Sequence, residues 1–313
     1  MTLLSVKEYN QSYSLLWDEF LDRCRNSLFL FKRQYMEYHK DRFVDHSLMF
    51  FEGNRLLAVL PASIKNNQLY SHAGLTFGGF LYPAKLGVCQ ILDIFDCLIS
   101  YLKKNHFTGL TYKLIPSIFH EVPTEEDLFA LYTLGARIAK RELSTAVSFE
   151  NQIKFSKGKR EGVKKAIKHD LCFRESTDFE KLFEIGSKIM KDRHDLAPVH
   201  NSNEMKYLKS IFPENIRMFE VSNENEMLAC TLIYEYGNTI HTQYMYNTDM
   251  GLSCGALDFL MDQVIQKYRN NKKFLSFGIS TEDGGKKLNI GLQRQKEMFG
   301  GRSILHDTYE LSV

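Results

Sequence analysis

Residues 48–80, LMFFEGNRLLAVLPASIKNNQLYSHAGLTFGGF, decide the fold, because residues 218–251 repeat their pattern as MFEVSNENEMLACTLIYEYGNTIHTQYMYNTDMG. Leu57-Ala58 falls on Leu228-Ala229 and Asn67 on Asn238, both at a separation of 171 residues. Past a loop of different length the match resumes at a separation of 165, with Leu92-Asp93 on Leu257-Asp258, Asn105 on Asn270 and Leu110 on Leu275. Each copy is long enough for its own core, so the repeat predicts two related domains, 1–150 and 151–313, rather than a solenoid of short units.

Hydrophobic periods change in the same order in both copies. Stretches 48–52 and 55–63 read as strands about the Gly53-Asn54 turn, and 68–77 as a third. Residues 86–104 then carry Ile91, Phe95, Leu98, Ile99 and Leu102 at helical spacing, and 107–114 returns to strand. Their counterparts are 217–222, 227–236, 239–246, the helix 254–268 and the strand 273–279. Helical patterns precede each set, at 14–25 and 33–40, and at 179–193 and 203–211. The order α-α-β-β-β-α-β defines an α+β fold: two tandem modules, each a mixed, mostly antiparallel sheet flanked by helices, whose crossover helix makes the last two strands parallel.

Composition narrows the partners. The 313 residues are 44% hydrophobic and 25% charged, and 40 basic against 38 acidic side chains leave a net charge of +2. That is too weak a field to expect nucleic acid or a membrane surface, so small molecules are the expected partners. Six scattered cysteines without a CxxC pair suit a reducing compartment. The first residues lack the pattern of a secretory signal, and no apolar run approaches the roughly 18 residues of a spanning helix. A cytoplasmic protein is expected, with monomer and homodimer both open.

Polar residues that the fold does not need carry the chemistry. In the second copy the third strand runs into NTDMGLSCGA, 247–256, which opens the crossover helix. Glycines at a helix start admit a pyrophosphate to the backbone N–H groups, and a plain strand-to-helix turn with Ser253 as N-cap fits the same spacing. The first copy has GGFLYPAKLG, 78–87, a different loop, so one copy is expected to keep a cofactor and the other to serve another task. His72, within SHAGLTFGG at 71–79, takes the repeat position of Gln243. Tyr38-His39-Lys40-Asp41-Arg42-Phe43 and Arg193-His194-Asp195-Leu196-Ala197-Pro198-Val199-His200 add further imidazoles. Any one of these is more often a satisfied core or surface histidine, and the cluster is the signal. Neither HExxH nor a Cys/His ligand spacing occurs, so no metal is expected. Lys157, Lys159, Arg160, Lys164, Lys165 and Lys168 form a basic stretch that reads as a solvated helix face or as a diphosphate contact. No GxSxG elbow or nucleophilic cysteine context is present, which favours direct attack in a ternary complex over an acyl-enzyme.

The element order resembles the GNAT acyltransferase fold, and two such modules resemble the FemABX-like branch. KGKREGVKKAIKHDLCFRES, 157–176, looks like that group's basic helix leading into a strand. FGIS, 277–280, followed by LNIGLQRQKEMFGGR, 288–302, looks like its DFG…FK.GFG ending, with Lys296 on the lysine and Phe299-Gly300 on the Phe-Gly. This chain departs in having Gln295 before the lysine and Ser276-Phe277-Gly278 in place of Asp-Phe-Gly. The resemblance implies acyl-CoA as co-substrate in the second module, with Gln243, Tyr244 and Met245 along the acyl channel and Gly251, Ser253, Gly255, Ala256 and Gly278 about the cofactor. It also implies an N-acyl transfer, in which Lys296 is expected to stabilise negative charge. Because such a transfer must take a proton from the amine, His72, then His200, are the candidate bases. Tyr38, Arg42, Thr76, Lys164 and His194 are the candidate acceptor contacts. FemABX proteins proper move an amino acid from aminoacyl-tRNA to a peptidoglycan precursor, and relatives use acyl-CoA on dTDP-linked amino sugars of surface polysaccharides. The expected function is the latter, acting on the amine of a nucleotide-linked sugar. The aminoacyl-tRNA reaction and a non-catalytic nucleotide-sugar-binding module are the alternatives.

Overall fold

The protein, seen here in a computed structural model, is described over residues 4–194 and 198–313, the side chains of 192–194 excepted. In chain order it forms β1 Leu4–Glu8, α1 Ser14–Leu21, α2 Arg33–Glu37, β2 Val44–Asp45, β3 Leu48–Glu52, β4 Arg55–Leu60, β5 Ser63–Lys65, β6 Gln68–Tyr70, α3 Val88–Lys104, β7 Gly109–Lys113, α4 Glu126–Thr133 and β8 Arg137–Ser148. There follow α5 Lys157–Lys168, β9 Cys172–Ser176, α6 Phe179–His194, α7 Ser202–Ile211, β10 Ile216–Ser222, β11 Met227–Glu235, β12 Thr239–Asn247, α8 Asp249–Cys254 and α9 Ala256–Tyr268. The chain ends with β13 Phe274–Ile279, β14 Thr281–Glu282, β15 Lys287–Leu288, α10 Ile290–Met298 and β16 Arg302–Ser312.

Two compact units result: Met1–Glu142 with Asp283–Lys286 and Leu305–Val313, and Leu143–Glu282 with Lys287–Ile304. A division at 150 groups all of β16 with the second half. Its residues Thr308 to Ser312 instead pair antiparallel with Lys113 to Gly109 of β7, in the first unit. β8 takes the equivalent place in the second unit, where Ser148 to Ala146 pair antiparallel with Phe274 to Ser276, each 165 residues on from Gly109 to Thr111. Neither strand lies within the matched segments, so the doubled pattern carried no sign of this return.

Both units are mixed, mostly antiparallel sheets flanked by helices. The repeat is visible in the hydrogen-bond register itself. Phe50 faces Ala58 and Val221 faces Ala229, and the parallel pair Gln68↔Gly109 recurs as Thr239↔Phe274. These are the two separations of the sequence match (239 − 68 = 171; 274 − 109 = 165). On α3 the residues Ile91, Ile94, Phe95, Leu98 and Leu102 line one face and pack on Leu48, Phe50, Leu69 and Leu110. On α9, Leu257, Leu260, Met261, Val264 and Ile265 do the same against Phe219, Val221, Leu228 and Leu275. Each such side chain contributes about 1.5–3 kcal/mol on leaving water, so the crossover helix anchors each sheet.

The copies part in the strands between. The expected strand 55–63 is broken at Pro61, which has no N–H for the ladder: β4 joins β1 and β3, while β5 joins a second sheet with β2, β6 and β7. Its counterpart β11 runs unbroken. The expected third strand 68–77 stops at Tyr70, because His72 takes a left-handed φ of 58° and turns the chain out of the sheet. Its counterpart β12 continues to Asn247.

Candidate active site

In the second unit β12 and β13 pair only from Thr239↔Phe274 to His241↔Ser276, after which they diverge. β13 turns instead toward β8, where Ile279 faces Ser144 past an irregularity. β12 stays on β11 but bulges: Leu232 faces Tyr244 and Ile233 faces Thr242, so Gln243 has no opposite residue. Such bulges re-aim side chains, often beside active sites. Polar groups gather at the divergence. The His241 ring Nδ1 lies 3.1 Å from Ser276 Oγ, which also accepts the Gly278 N–H at 3.4 Å. Thr242 Oγ1 donates to the Ser276 carbonyl at 3.4 Å.

Lys296 reaches this point from α10, whose start is capped by Asn289. Its ammonium donates to the carbonyls of Gly278 at 2.9 Å and Ile279 at 2.6 Å. The side chain is only 3% exposed, and burial pushes the ammonium down to about 8. Two of its three N–H bonds therefore hold the end of β13.

Beyond the bulge Tyr244 meets His200. The phenol oxygen accepts the His200 backbone N–H at 3.2 Å and lies 2.7 Å from Nδ1 of the ring. Phe183 meets the Tyr244 ring edge-on at 5.4 Å and Tyr246 stacks at 6.0 Å. Burial pushes the phenol up to about 12, so it stays protonated at neutral pH. The sequence points to these two residues from separate segments and for separate roles, and the fold joins them. Met245 packs against the core.

The helix start differs from the expectation. It begins at Asp249, capped by Thr248 Oγ1, which accepts the Gly251 N–H at 3.0 Å, so Ser253 is not the N-cap; its hydroxyl donates to the Met250 carbonyl. Gly255, at φ +78°, separates α8 from α9, and a Cβ there would sit 2.2 Å from the Gly162 carbonyl. A Cβ on Gly251 would meet Asn247 Oδ1 and the Leu228 carbonyl. Close protein packing thus explains both glycines, and Ala256 is buried beside them. On α5, Lys159 is tied to Asp258 at 2.6 Å and lies over the Phe299 ring. Lys164 is exposed beside Glu161.

In the first unit Lys113 fills the corresponding divergence. Its ammonium donates to the carbonyls of His72, Ala73 and Leu75 at 3.3, 3.2 and 2.7 Å, and burial pushes it down to about 8. His72 is 2% exposed, with its ring against His39 and Phe43. Burial, then the neighbouring His39, push its imidazole down to about 3, which makes it a weak base at neutral pH. Tyr38 joins this cluster through His39 at 4.4 Å, whereas Arg42 and Thr76 are exposed. The side chain of His194 lies outside the described residues.

Sequence reasoning missed His241, Ser276, Thr242 and Lys113. One signal was available: Ser276 stands where the resembled ending has aspartate. Among the described residues, no group of three or more His, Cys, Asp or Glu converges as metal ligands would, and no helix is long and apolar enough to cross a membrane.

No family model matches the chain, and no curated protein matches it in sequence. Solved structures do share its fold. A crystal structure of FemX is 12% identical, with a TM-score of 0.68 over 99% of this chain and 97% of that one. L-PGS from Bacillus licheniformis is 10% identical, with a TM-score of 0.57 over 85% and 83%. A tandem GNAT protein from the clavulanic acid biosynthesis pathway is 8% identical, with a TM-score of 0.50 over 99% and 98%. The fold is therefore a tandem GNAT, FemX-like one.

Proposed function

We propose that the chain is an N-acyltransferase that receives acyl-CoA in its second unit and passes the acyl group to an amine. One observation carries the reading: β12 and β13 part after three paired residues, at the Gln243 bulge, with His200 and Tyr244 beside the opening. An acyl-pantetheine arm carries amides that can pair with a strand edge as an added strand would. With Nδ1–H donated to Tyr244, the His200 lone pair sits on Nε2 and takes the acceptor ammonium proton. The amine nitrogen then bonds to the acyl carbon, the C–S bond breaks, and the departing thiolate takes the second proton that the new amide nitrogen gives up. The remaining Lys296 N–H is the candidate donor to the developing oxyanion. The acceptor of this reading is a nucleotide-linked, dTDP-type amino sugar of the kind used for surface polysaccharides, in a cytoplasmic setting that supplies acyl-CoA.

Aminoacyl-tRNA is the second donor to consider, because Lys157, Arg160, Lys164 and Lys168 are all exposed at helical spacing on α5. Isothermal titration separates the two. Micromolar binding of acetyl-CoA that tRNA leaves unchanged supports the first reading, and tRNA binding without acetyl-CoA binding replaces it with the second.

A further inference from the structure

Each unit carries a cavity at the same place in the repeat. A helix that precedes the hairpin, α1 in the first unit and α6 in the second, bounds it together with the start of the second hairpin strand and the chain leading into the crossover helix. Arg55 and Leu56 line the first cavity; Glu226 and Met227, each 171 residues on, line the second. Their volumes are about 630 and 480 Å³, both in the range that holds a small ligand.

The walls differ in charge. In the second unit Lys181, paired with Glu184 at 3.1 Å, and Lys188 are set against Glu184, Glu226 and Asp249, so the charges are mixed. In the first, Arg23, Arg55 and Lys85 converge from three separate segments, and no carboxylate is among the lining residues. Among the described residues Arg23 and Lys85 pair with no carboxylate, and Arg55 meets Glu52 only at 4.0 Å. Leu16, Phe20, Leu56 and Pro83 supply an apolar side to the same cavity. Three like charges around one concavity repel one another, and an anion seated among them relieves that repulsion.

We infer that the first unit's cavity binds a nucleoside diphosphate group, its two phosphates among Arg23, Arg55 and Lys85 and its ring on Leu16, Leu56 and Pro83. Two linked phosphates match three cations in charge, and a flat base with its sugar matches the apolar side. The divergence of the strands in this unit is closed by Lys113, so the site binds without transferring an acyl group. The inference does not depend on the reaction proposed above.

Titration calorimetry of the full chain with dTDP, UDP, ADP and inorganic pyrophosphate tests it, alongside Arg23→Gln, Arg55→Gln and Lys85→Gln. Saturable nucleoside diphosphate binding is expected, weakened about tenfold by each substitution and further by about 0.5 M salt, with pyrophosphate competing. Tighter binding of dTDP or UDP than of ADP assigns the site to a sugar nucleotide, and the reverse assigns it to the adenosine end of a cofactor; both uphold it. The inference is overturned if no nucleoside diphosphate binds, or if binding is the same in all three variants while circular dichroism shows them folded. Acetyl-CoA binding and turnover, read separately, report on the second unit, so either proposal can fail alone.

Discussion

The two units share one pairing register and reach different ends. Through the first hairpin and the parallel pair they match residue for residue, yet β12 runs nine residues where β6 runs three. Pro61 and the left-handed His72 shorten the first unit's strands, and Lys113 then fastens the displaced loop by three carbonyls. In the second unit the strand bulges at Gln243 and its pairing with β13 ends at His241. The core face of a duplicated fold is held by packing, while the end of its third strand is free to become a site or be sealed.

The largest expected effect tests that contrast at the open end. His200→Asn should lower kcat/KM by about 10²–10⁴-fold with an unchanged melting temperature, and Tyr244→Phe should fall in the same direction. His72→Asn, on the sealed side, should leave the acidic limb of the pH–rate profile in place. Loss of that limb in His72→Asn, with His200→Asn fully active, would reverse the roles assigned to the units.

Core substitutions probe the shared half of the comparison. Phe95 and Leu260 hold the same repeat position and are both buried under their sheets. Phe95→Ala should cost about 3–5 kcal/mol and Leu260→Ala about 2–5 kcal/mol in denaturant unfolding. Hydrogen exchange should show each loss first in the unit that carries it, and uniform deprotection in both variants would break the picture of two separate cores.

Titration distinguishes the units further. In the first, burial pushes Asp127 up to about 6, against an ordinary value of 3.8. A raised carboxyl favours the folded state when protonated, so its contribution is complete below 3.8 and is lost as pH rises toward 6, about 3 kcal/mol in all. Asp127→Asn should flatten that slope in pH-dependent melting. At the alkaline end both units act alike, because Lys113 and Lys296 are each pushed down from 10.5 to about 8. Their contribution is present above 10.5 and is lost as pH falls through 8. The smallest effect is expected from Lys164→Gln, an exposed residue beside Glu161, at under about 0.5 kcal/mol of stability.

Periodicity made the architecture legible: the two separations of the sequence match are the separations of the paired strands. Pro61 was legible too, as a residue that cannot donate within a ladder. The rest lay in non-local contacts. Nothing near His200 in sequence announces Tyr244, 44 positions on, because a bulge in one strand decides where that phenol points. Gly251 and Gly255 read as anion-binding because a glycine shows only that something comes close, and here the close atoms belong to the protein. Lys296 was marked by the ending it resembles, whereas Lys113 looks like any surface lysine until folding surrounds its ammonium with carbonyls.

The return of Leu305–Val313 to β7 has a consequence for synthesis. A ribosome making this chain releases the whole second unit before the strand that completes the first. During that interval β7 presents an unpaired edge, the kind of surface that chaperones shield. The half that is translated first is thus the half that finishes folding last.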